Sequence, residues 1–448
     1  MFYRKILIQL EKWKQKPNRK PLILRGARQT GKTTVIKEFS KKFDHFLHFN
    51  LEQKIDHDIF QKEISIDDLV KEIFFNKGVP LDSSNVLIFI DEIQNSPRAI
   101  KSLRYFFEKY PNLFVISAGS LLETLLTKNI SFPVGRVEYL YLYPVSFQEF
   151  LLAIGEKSSF DAMNTIPLES HCHKKLLSLF HTFAMTGAMP EAVKVYLETS
   201  DILAVKEVYD SLLTSFEDDV EKYSKNENQR KIIRHIIKTA PYEAGNRIKY
   251  HGFGNSSYSS REVSESMSIL EKTMFLKIMR PITSCDIPAL PDLKKSPKLL
   301  LLDSGFINYA NSLYQQYIGI DDLNKLYKGK IIEHLCIQEY ISQTYSKQEV
   351  NFWVREKKQS NAEIDLIHNS GKYFIPIEVK SGKQGTLRSL HQFTTIAPHP
   401  FTIRLYAGEL SLEEQKTPDG TNYTLLNLPY YLASKIFDYC DSSFFIDN

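Results

Sequence analysis

The chain has 448 residues, more than one hydrophobic core of roughly 250–300 residues can hold, so two to four domains are expected. Its 43% hydrophobic and 25% charged residues are those of a folded globular protein and exclude collagen-like, coiled-coil and disordered classes. The net charge of +4 is too weak to demand a nucleic-acid partner, and four scattered cysteines without a CxxC pair argue against a disulfide framework or zinc ribbon and for a reducing, cytoplasmic setting.

In chain order, Tyr3, Ile6, Leu10 and Trp13 recur at helical steps, so the first segment reads as an amphipathic helix closed by Pro17 and Asn18. Its apolar run is too short for a signal peptide, and VLIFI and LLLL, the longest apolar stretches, fall far short of the ~18 residues that span a bilayer. No membrane role is expected. PLILRGARQTGKTTVIKEFSKKF then reads as strand, loop and helix, with Val35, Ile36 and Phe39 on one helix face.

NVLIFIDEIQ and LFVISAGS lack polar alternation and read as parallel strands buried on both faces. PRAIKSLRYFFEKY between them is a helix with a proline start, which gives strand, helix, strand order and a parallel α/β sheet. Residues 168–224 read as helical, broken at Gly187-Ala188-Met189-Pro190. Further helices surround the polar loop GFGNSSYSS, and a last one leads toward a strand, as a small winged-helix-like unit would. Strand signals return at KLLLLD, NFWVRE, EIDLIHN and YFIPIEVK, with a helix at GKIIEHLCIQEYI. The expected division is a P-loop domain over 1–160, a helical lid or connector over 161–226, a winged-helix-like part over 227–290 and a C-terminal α/β domain over 291–448.

Gly26-Ala27-Arg28-Gln29-Thr30-Gly31-Lys32-Thr33 matches GxxxxGK[ST] in full, followed by Thr34, and it lies between a strand and a helix as phosphate binding requires. The glycines let backbone N–H groups turn toward a phosphate, Lys32 reaches the β- and γ-phosphates, and the Thr33 hydroxyl faces Mg²⁺. Asp91 and Glu92 end the next buried strand, where open α/β sheets bind ligands. Asp91 is the expected Mg²⁺ partner through water and Glu92 the base for the attacking water; the structural alternative is that both cap the following segment. Ser117 and Ser120 are rival polar sensors of the γ-phosphate. Arg136 is the expected arginine for transition-state charge, in its own chain or a neighbour's, against the alternative of a surface arginine.

With those residues in place, the chain resembles prokaryotic AAA-type ATPases whose P-loop reads GxRQxGKT and whose next acidic strand ends in DEIQ. GARQTGKTT, LIFIDEIQNSP, SAGS, VGRVEYLYLYPVSFQEFL, TGAMPEAV and LLLLDSGF resemble successive motifs of the ATPases that bear the domain of unknown function numbered 4143. The third motif of that family usually reads TGS, where this chain has Ala118-Gly119-Ser120, which favours Ser120 as the sensor. The resemblance implies an AAA-like ATP-binding core, a helical and winged-helix-like middle and a C-terminal domain similar to restriction endonucleases.

The C-terminal part carries its own constellation. Ala362-Glu363-Ile364-Asp365 and Ile377-Glu378-Val379-Lys380 have the spacing of a PD-(D/E)xK site, with Asp365 and Glu378 as Mg²⁺ ligands, Lys380 orienting water and Glu333 as the extra acid from a helix. The structural alternative is a salt-bridge cluster in a retained fold. Gly382, Lys383, Gln384, Gly385 and Arg388, with Trp353 and Arg355 near them in sequence, are candidates for phosphate-backbone contact or a solvated loop.

Three readings follow. The first is a Mg²⁺-dependent ATPase acting as a molecular switch, with a second copy of the chain as a possible source of Arg136. The second is an ATP-regulated protein that binds or cuts DNA. The third is a nucleotide-gated module for a protein partner, built on an inactive nuclease-like fold.

Overall fold

The computed structural model describes residues 2–119, 133, 135–317, 329–347, 349–356, 362–380 and 387–445. It divides into two compact units. The first is Met1–Tyr143 with the short returns Lys272–Met274 and Tyr345–Lys347. The second holds Pro144–Glu271, Phe275–Thr344 and Gln348–Asn448.

In the first unit, α1 (Ile6–Lys14), β1 (Leu22–Arg25), α2 (Lys32–Phe39), β2 (His45–Asn50), α3 (Lys54–Gln61), α4 (Ile66–Asn76), β3 (Val86–Asp91), α5 (Pro97–Lys109), β4 (Phe114–Gly119) and β5 (Glu138–Tyr141) build a five-stranded sheet in the order β2-β3-β4-β1-β5. Every pairing is parallel. The expected α/β parallel sheet is therefore present, and the reason lies in the apolar runs. Along β3, Val86, Ile88 and Ile90 enter one core with Ile59 and Phe60 of α3, Ile73 of α4 and Leu103 of α5. Leu87 and Phe89 enter the opposite core with Ile6, Leu10 and Trp13 of α1 and Val35, Ile36 and Phe39 of α2. A strand buried on both faces has no polar side to show, hence the unbroken VLIFI. Helix α5 starts where the proline signalled: the Ser96 hydroxyl accepts the Ala99 N–H at 3.1 Å, and Pro97 stands where no N–H is needed.

In the second unit, helices α6 (Phe147–Ala153), α7 (Lys157–Met163), α8 (His173–Thr186), α9 (Pro190–Thr199), α10 (Ile202–Asp218), α11 (Val220–Tyr223), α12 (Glu227–Glu243) and α13 (Ser260–Lys272) precede the first strand. Strands β6 (Leu276–Ile282), β7 (Lys298–Leu301), β8 (Asn351–Val354), β9 (Glu363–Asn369), β10 (Phe374–Val379), β11 (Phe401–Tyr406), β12 (Ser411–Lys416) and β13 (Asn422–Pro429) form a mixed sheet ordered β12-β13-β11-β10-β9-β8-β6-β7. Helices α14 (Ser304–Ala310), α15 (Leu313–Tyr317), α16 (Gly329–Ser342), α17 (Arg388–Thr394) and α18 (Ile436–Cys440) complete it. Among the described residues, no helix is long and apolar enough to cross a membrane.

Two buried histidines make this unit acid-sensitive. His334 of α16 accepts the Leu301 N–H through Nε2 at 2.9 Å, and His368 of β9 shares a 3.0 Å bond with the Tyr340 hydroxyl. Burial lowers both imidazoles to about 4. The folded state therefore binds fewer protons than the unfolded chain between pH 4 and 6.5. Stability is fully present above pH 6.5 and is lost as pH falls toward 4, by on the order of 3 kcal/mol for each ring. Urea unfolding across that window should show a steep loss in the wild type that His334→Asn or His368→Asn makes shallower by about one proton each. An unchanged slope in both variants contradicts this assignment.

Candidate functional site

Strand β1 delivers the chain into a loop that only certain backbones can make. A Cβ on Gly26 would lie 2.7 Å from the Leu142 carbonyl oxygen and 2.9 Å from Thr30 Oγ1. Gln29 at φ +60° and Gly31 at φ +93° turn the chain in the left-handed region before α2 begins. The Thr30 hydroxyl donates to the Ala27 carbonyl at 2.9 Å, and the buried Arg4 guanidinium donates to the Thr30 carbonyl at 3.0 Å and the Tyr143 carbonyl at 2.6 Å. Arg4 braces the loop from outside the motif, and the spacing of the motif gives no hint of it. Gln29 and Thr34 are exposed and Arg28 is half-buried.

Lys32 is 7% exposed, and its ammonium donates to the Gly26 and Ala27 carbonyls at 3.0 and 2.8 Å. Burial lowers its pKa to about 8, against the opposing charges of Glu92 and Asp91 and in concert with Arg28. Because β4 alone separates β1 from β3, the loop and the acidic end of β3 share one edge of the sheet. There the Thr33 hydroxyl donates to Asp91 Oδ2 at 2.6 Å. Asp91 Oδ1 accepts the Glu92 N–H at 3.1 Å, and His48 lies 3.8 Å from Oδ2. Burial would raise the Asp91 carboxyl, but His48, Thr33 and the Glu92 N–H outweigh it and hold the group below the usual range. Asp91 is thus an anion paired with a hydroxyl, a donor set of hard oxygens that fits a hard cation.

Glu92 sits at φ +52°, a conformation uncommon for a side-chain-bearing residue. Its carboxylate accepts a hydrogen bond from the Gln94 amide. Gln94 is itself pinned: its carbonyl oxygen is buried without a partner among the described residues and packs so close to Gly119 that a Cβ there would lie 2.1 Å away. The glycine of the third motif therefore makes room for the side chain that holds Glu92. In the sequence, the sign of this role is the position of Gln94 two residues after the acid in DEIQ.

The remaining residues expected at this site are placed elsewhere or not described. Ser120 lies outside the described residues. The Ser117 hydroxyl is buried and donates to the Leu22 carbonyl at 3.4 Å, at the start of β1 rather than its end. Arg136 precedes β5, whose first residue pairs with Leu22, and its Nε bonds Glu108 at 3.1 Å. That is the sheet edge away from Lys32, so the chain does not bring Arg136 to its own P-loop.

In the second unit, Asp365 and Glu378 lie on neighbouring strands β9 and β10, and Glu333 on α16. Two ammoniums meet these acids: the expected Lys380 at Glu378, and an unexpected one at Glu333 and Asp365. Lys298, at the head of β7, bonds Glu333 at 2.5 Å and Glu363 at 2.6 Å and lies 3.5 Å from Asp365. Lys380 pairs with Glu378 at 2.5 Å, and Asp365 Oδ2 accepts the Val379 N–H at 2.8 Å. Burial, with the Asp365 charge beside it, pushes both the Glu333 and Glu378 carboxyls upward. The sequence reading missed Lys298 and Glu363; a lone lysine entering an apolar strand, in PKLLLLD, was the available sign of a buried partner. Positions 382–385 lie outside the described residues. Trp353 is a correction: it is fully buried, edge-on to Phe393 with its indole N–H on the Thr283 carbonyl at 3.0 Å, and has no face for nucleic acid.

The TGAMPEAV and LLLLDSGF segments meet in the same unit. Buried Asp303 accepts the Ala188 N–H at 2.9 Å, the Met189 N–H at 3.2 Å, the Gly305 N–H at 3.3 Å and the Tyr209 hydroxyl. Gly187 and Gly305 are needed because a Cβ on either would fall 2.0 Å or less from a Tyr209 atom.

Residues 18–151 match the family model of an AAA domain, residues 177–317 a domain of unknown function (DUF8612) and residues 328–431 a domain of unknown function (DUF4143). No curated protein matches the chain. Among solved structures, a Walker-type ATPase of Pyrococcus abyssi is similar at 13% identity over 69% of this chain and 96% of its own, with a TM-score of 0.43. The Thermotoga maritima RuvB Holliday junction branch migration motor is similar at 13% identity over 65% and 93%, with a TM-score of 0.27. The Aeropyrum pernix ORC1 protein, solved in complex with DNA, is similar at 14% identity over 70% and 93%, with a TM-score of 0.31.

Proposed function

The chain carries an AAA-type P-loop domain ahead of a DUF4143 domain, and from that premise we propose that it binds ATP with Mg²⁺ and hydrolyses it to ADP and phosphate. The observation that carries the reading is the junction of P-loop and acidic strand: Lys32 buried on the loop, Thr33 bonded to Asp91, and Glu92 held beside them.

Each residue then has a task. Backbone N–H groups of the loop and the start of α2 cradle the phosphates, with Gly26 and Gly31 permitting the approach and Ala27, Arg28, Gln29, Thr30 and Thr34 forming its wall. Lys32 exchanges two loop carbonyls for phosphate oxygens, a gain because its ammonium is already stripped of water. Mg²⁺, held by the Thr33 hydroxyl and through water by Asp91, would neutralise phosphate charge. Glu92 takes a proton from water as the water oxygen bonds to the γ-phosphorus, and the bond from that phosphorus to the β–γ bridging oxygen breaks. Gln94 fixes where the Glu92 carboxylate waits. Ser120 is retained as a polar sensor, and Arg136 as a residue that acts on the nucleotide of a second copy.

We read the cycle as a switch acting on the rest of the chain. The direct test of catalysis is Glu92→Gln, in which turnover should collapse while ATP binding persists.

A further inference from the structure

We propose that Lys298 is the resident cation of the nuclease-like constellation, taking up carboxylates of Glu333, Glu363 and Asp365 that a divalent metal would need and leaving these acids a metal-free ionic scaffold. The inference goes beyond the nucleotide reading and is independent of it.

A divalent magnesium ion asks for about six hard oxygens in near-octahedral array at roughly 2.0–2.1 Å. The acids here are arranged for a different cation. Glu333 and Glu363 turn oxygens onto one ammonium, at 2.5 and 2.6 Å, with an Asp365 oxygen 3.5 Å away. Lys298 is 2% exposed, and its ammonium also lies 5.0 Å from the centre of the Phe352 ring. A charge so buried is stable only among its partners, so those carboxylates are not available for exchange without leaving it stranded.

The remaining oxygens are committed as well, save Glu378 Oε2, which is buried without a partner among the described residues and is one oxygen where a divalent ion needs about six. Glu363 also binds Arg247 at 3.1 Å, Asp365 Oδ2 is taken by the Val379 N–H, and Glu378 holds Lys380. No group of three or more His, Cys, Asp or Glu side chains placed to hold a metal occurs among the described residues. The donor set therefore does not fit the metal that the spacing of Asp365, Glu378 and Lys380 implied. A divalent ion entering would meet the fixed positive charge of Lys298 at close range.

The experiment is Mn²⁺ titration of the nucleotide-free full-length chain, followed by electron paramagnetic resonance, in wild type, Asp365→Asn, Glu378→Gln, Lys298→Met and the double variant Lys298→Met/Asp365→Asn. The wild type should show no Mn²⁺ site that Asp365→Asn or Glu378→Gln removes. Lys298→Met should gain one site per chain, lost again in the double variant. A wild-type site abolished by Asp365→Asn overturns the proposal, and so does a folded Lys298→Met that gains none. Should Lys298→Met fail to fold, the thermal midpoint of the wild type with and without Mn²⁺ decides: no shift supports the resident lysine, and a rise that Glu378→Gln abolishes overturns it.

Discussion

Glu92→Gln should release phosphate on the order of 10²–10⁴-fold more slowly than the wild type, with ATP affinity changed by less than about threefold, because a positioned general base contributes in that range to the chemical step and little to binding. The substitution is nearly isosteric. Glutamine at 92 can still accept the Gln94 amide through its carbonyl, and the Asp91–Thr33 pair is untouched. What disappears is the carboxylate that takes the proton from water. Phosphate release under saturating ATP and equilibrium nucleotide binding, measured on one preparation, separate the two effects. Turnover equal to wild type would remove Glu92 from the reaction and leave it a cap on the segment after β3.

Asp303→Ala should destabilise the second unit by at least about 4 kcal/mol, since it strands three backbone N–H groups and a tyrosine hydroxyl in a dry interior, four groups at a cost of about 1–3 kcal/mol each. Burial raises the Asp303 carboxyl, and Tyr209 with the N–H groups of Ala188, Gly305 and Met189 pulls it back down. Tyr209→Phe removes one donor and leaves the others paired, so its loss should be about 1–2 kcal/mol. Of the two tryptophans, Trp353 lies in this unit, and its fluorescence in urea reports the transition. Equal stability of wild type and Asp303→Ala would mean that the clamp between the two motif segments carries no load.

Much of the first unit was legible because its signals are local. The helix period of Ile6, Leu10 and Trp13, the proline start of α5 and the glycine spacing of the P-loop act within a few residues, and the structure has each. Strand β2 was not read, since HFLHFN alternates weakly and its pairing with β3 is decided by tertiary burial. The strand order was equally hidden, because crossovers put β1 between β4 and β5.

The sites follow the same rule. Thr33 and Asp91 were paired in advance because strand ends in a parallel sheet meet at one edge. Arg4, Gln94, Lys298 and Asp303 were not assigned, because their partners come from other elements: Lys298 reaches carboxylates on α16 and β9, and Asp303 reaches backbone groups more than a hundred positions away. Spacing alone paired the C-terminal acids with Lys380. The fold gives three of the four acids in that region, counting Glu363, to a lysine some eighty residues earlier in the chain.

The central claim is nucleotide capture by the P-loop, and equilibrium binding of ATP with Mg²⁺ to wild type and Lys32→Ala tests it most directly. The buried ammonium is held by the Gly26 and Ala27 carbonyls of the loop, and losing its charge-assisted contacts to phosphate should weaken binding on the order of 100-fold. One ATP bound per wild-type chain, with that loss in the variant, is the result this account predicts. A Lys32→Ala chain that folds and binds ATP as tightly as the wild type would contradict it.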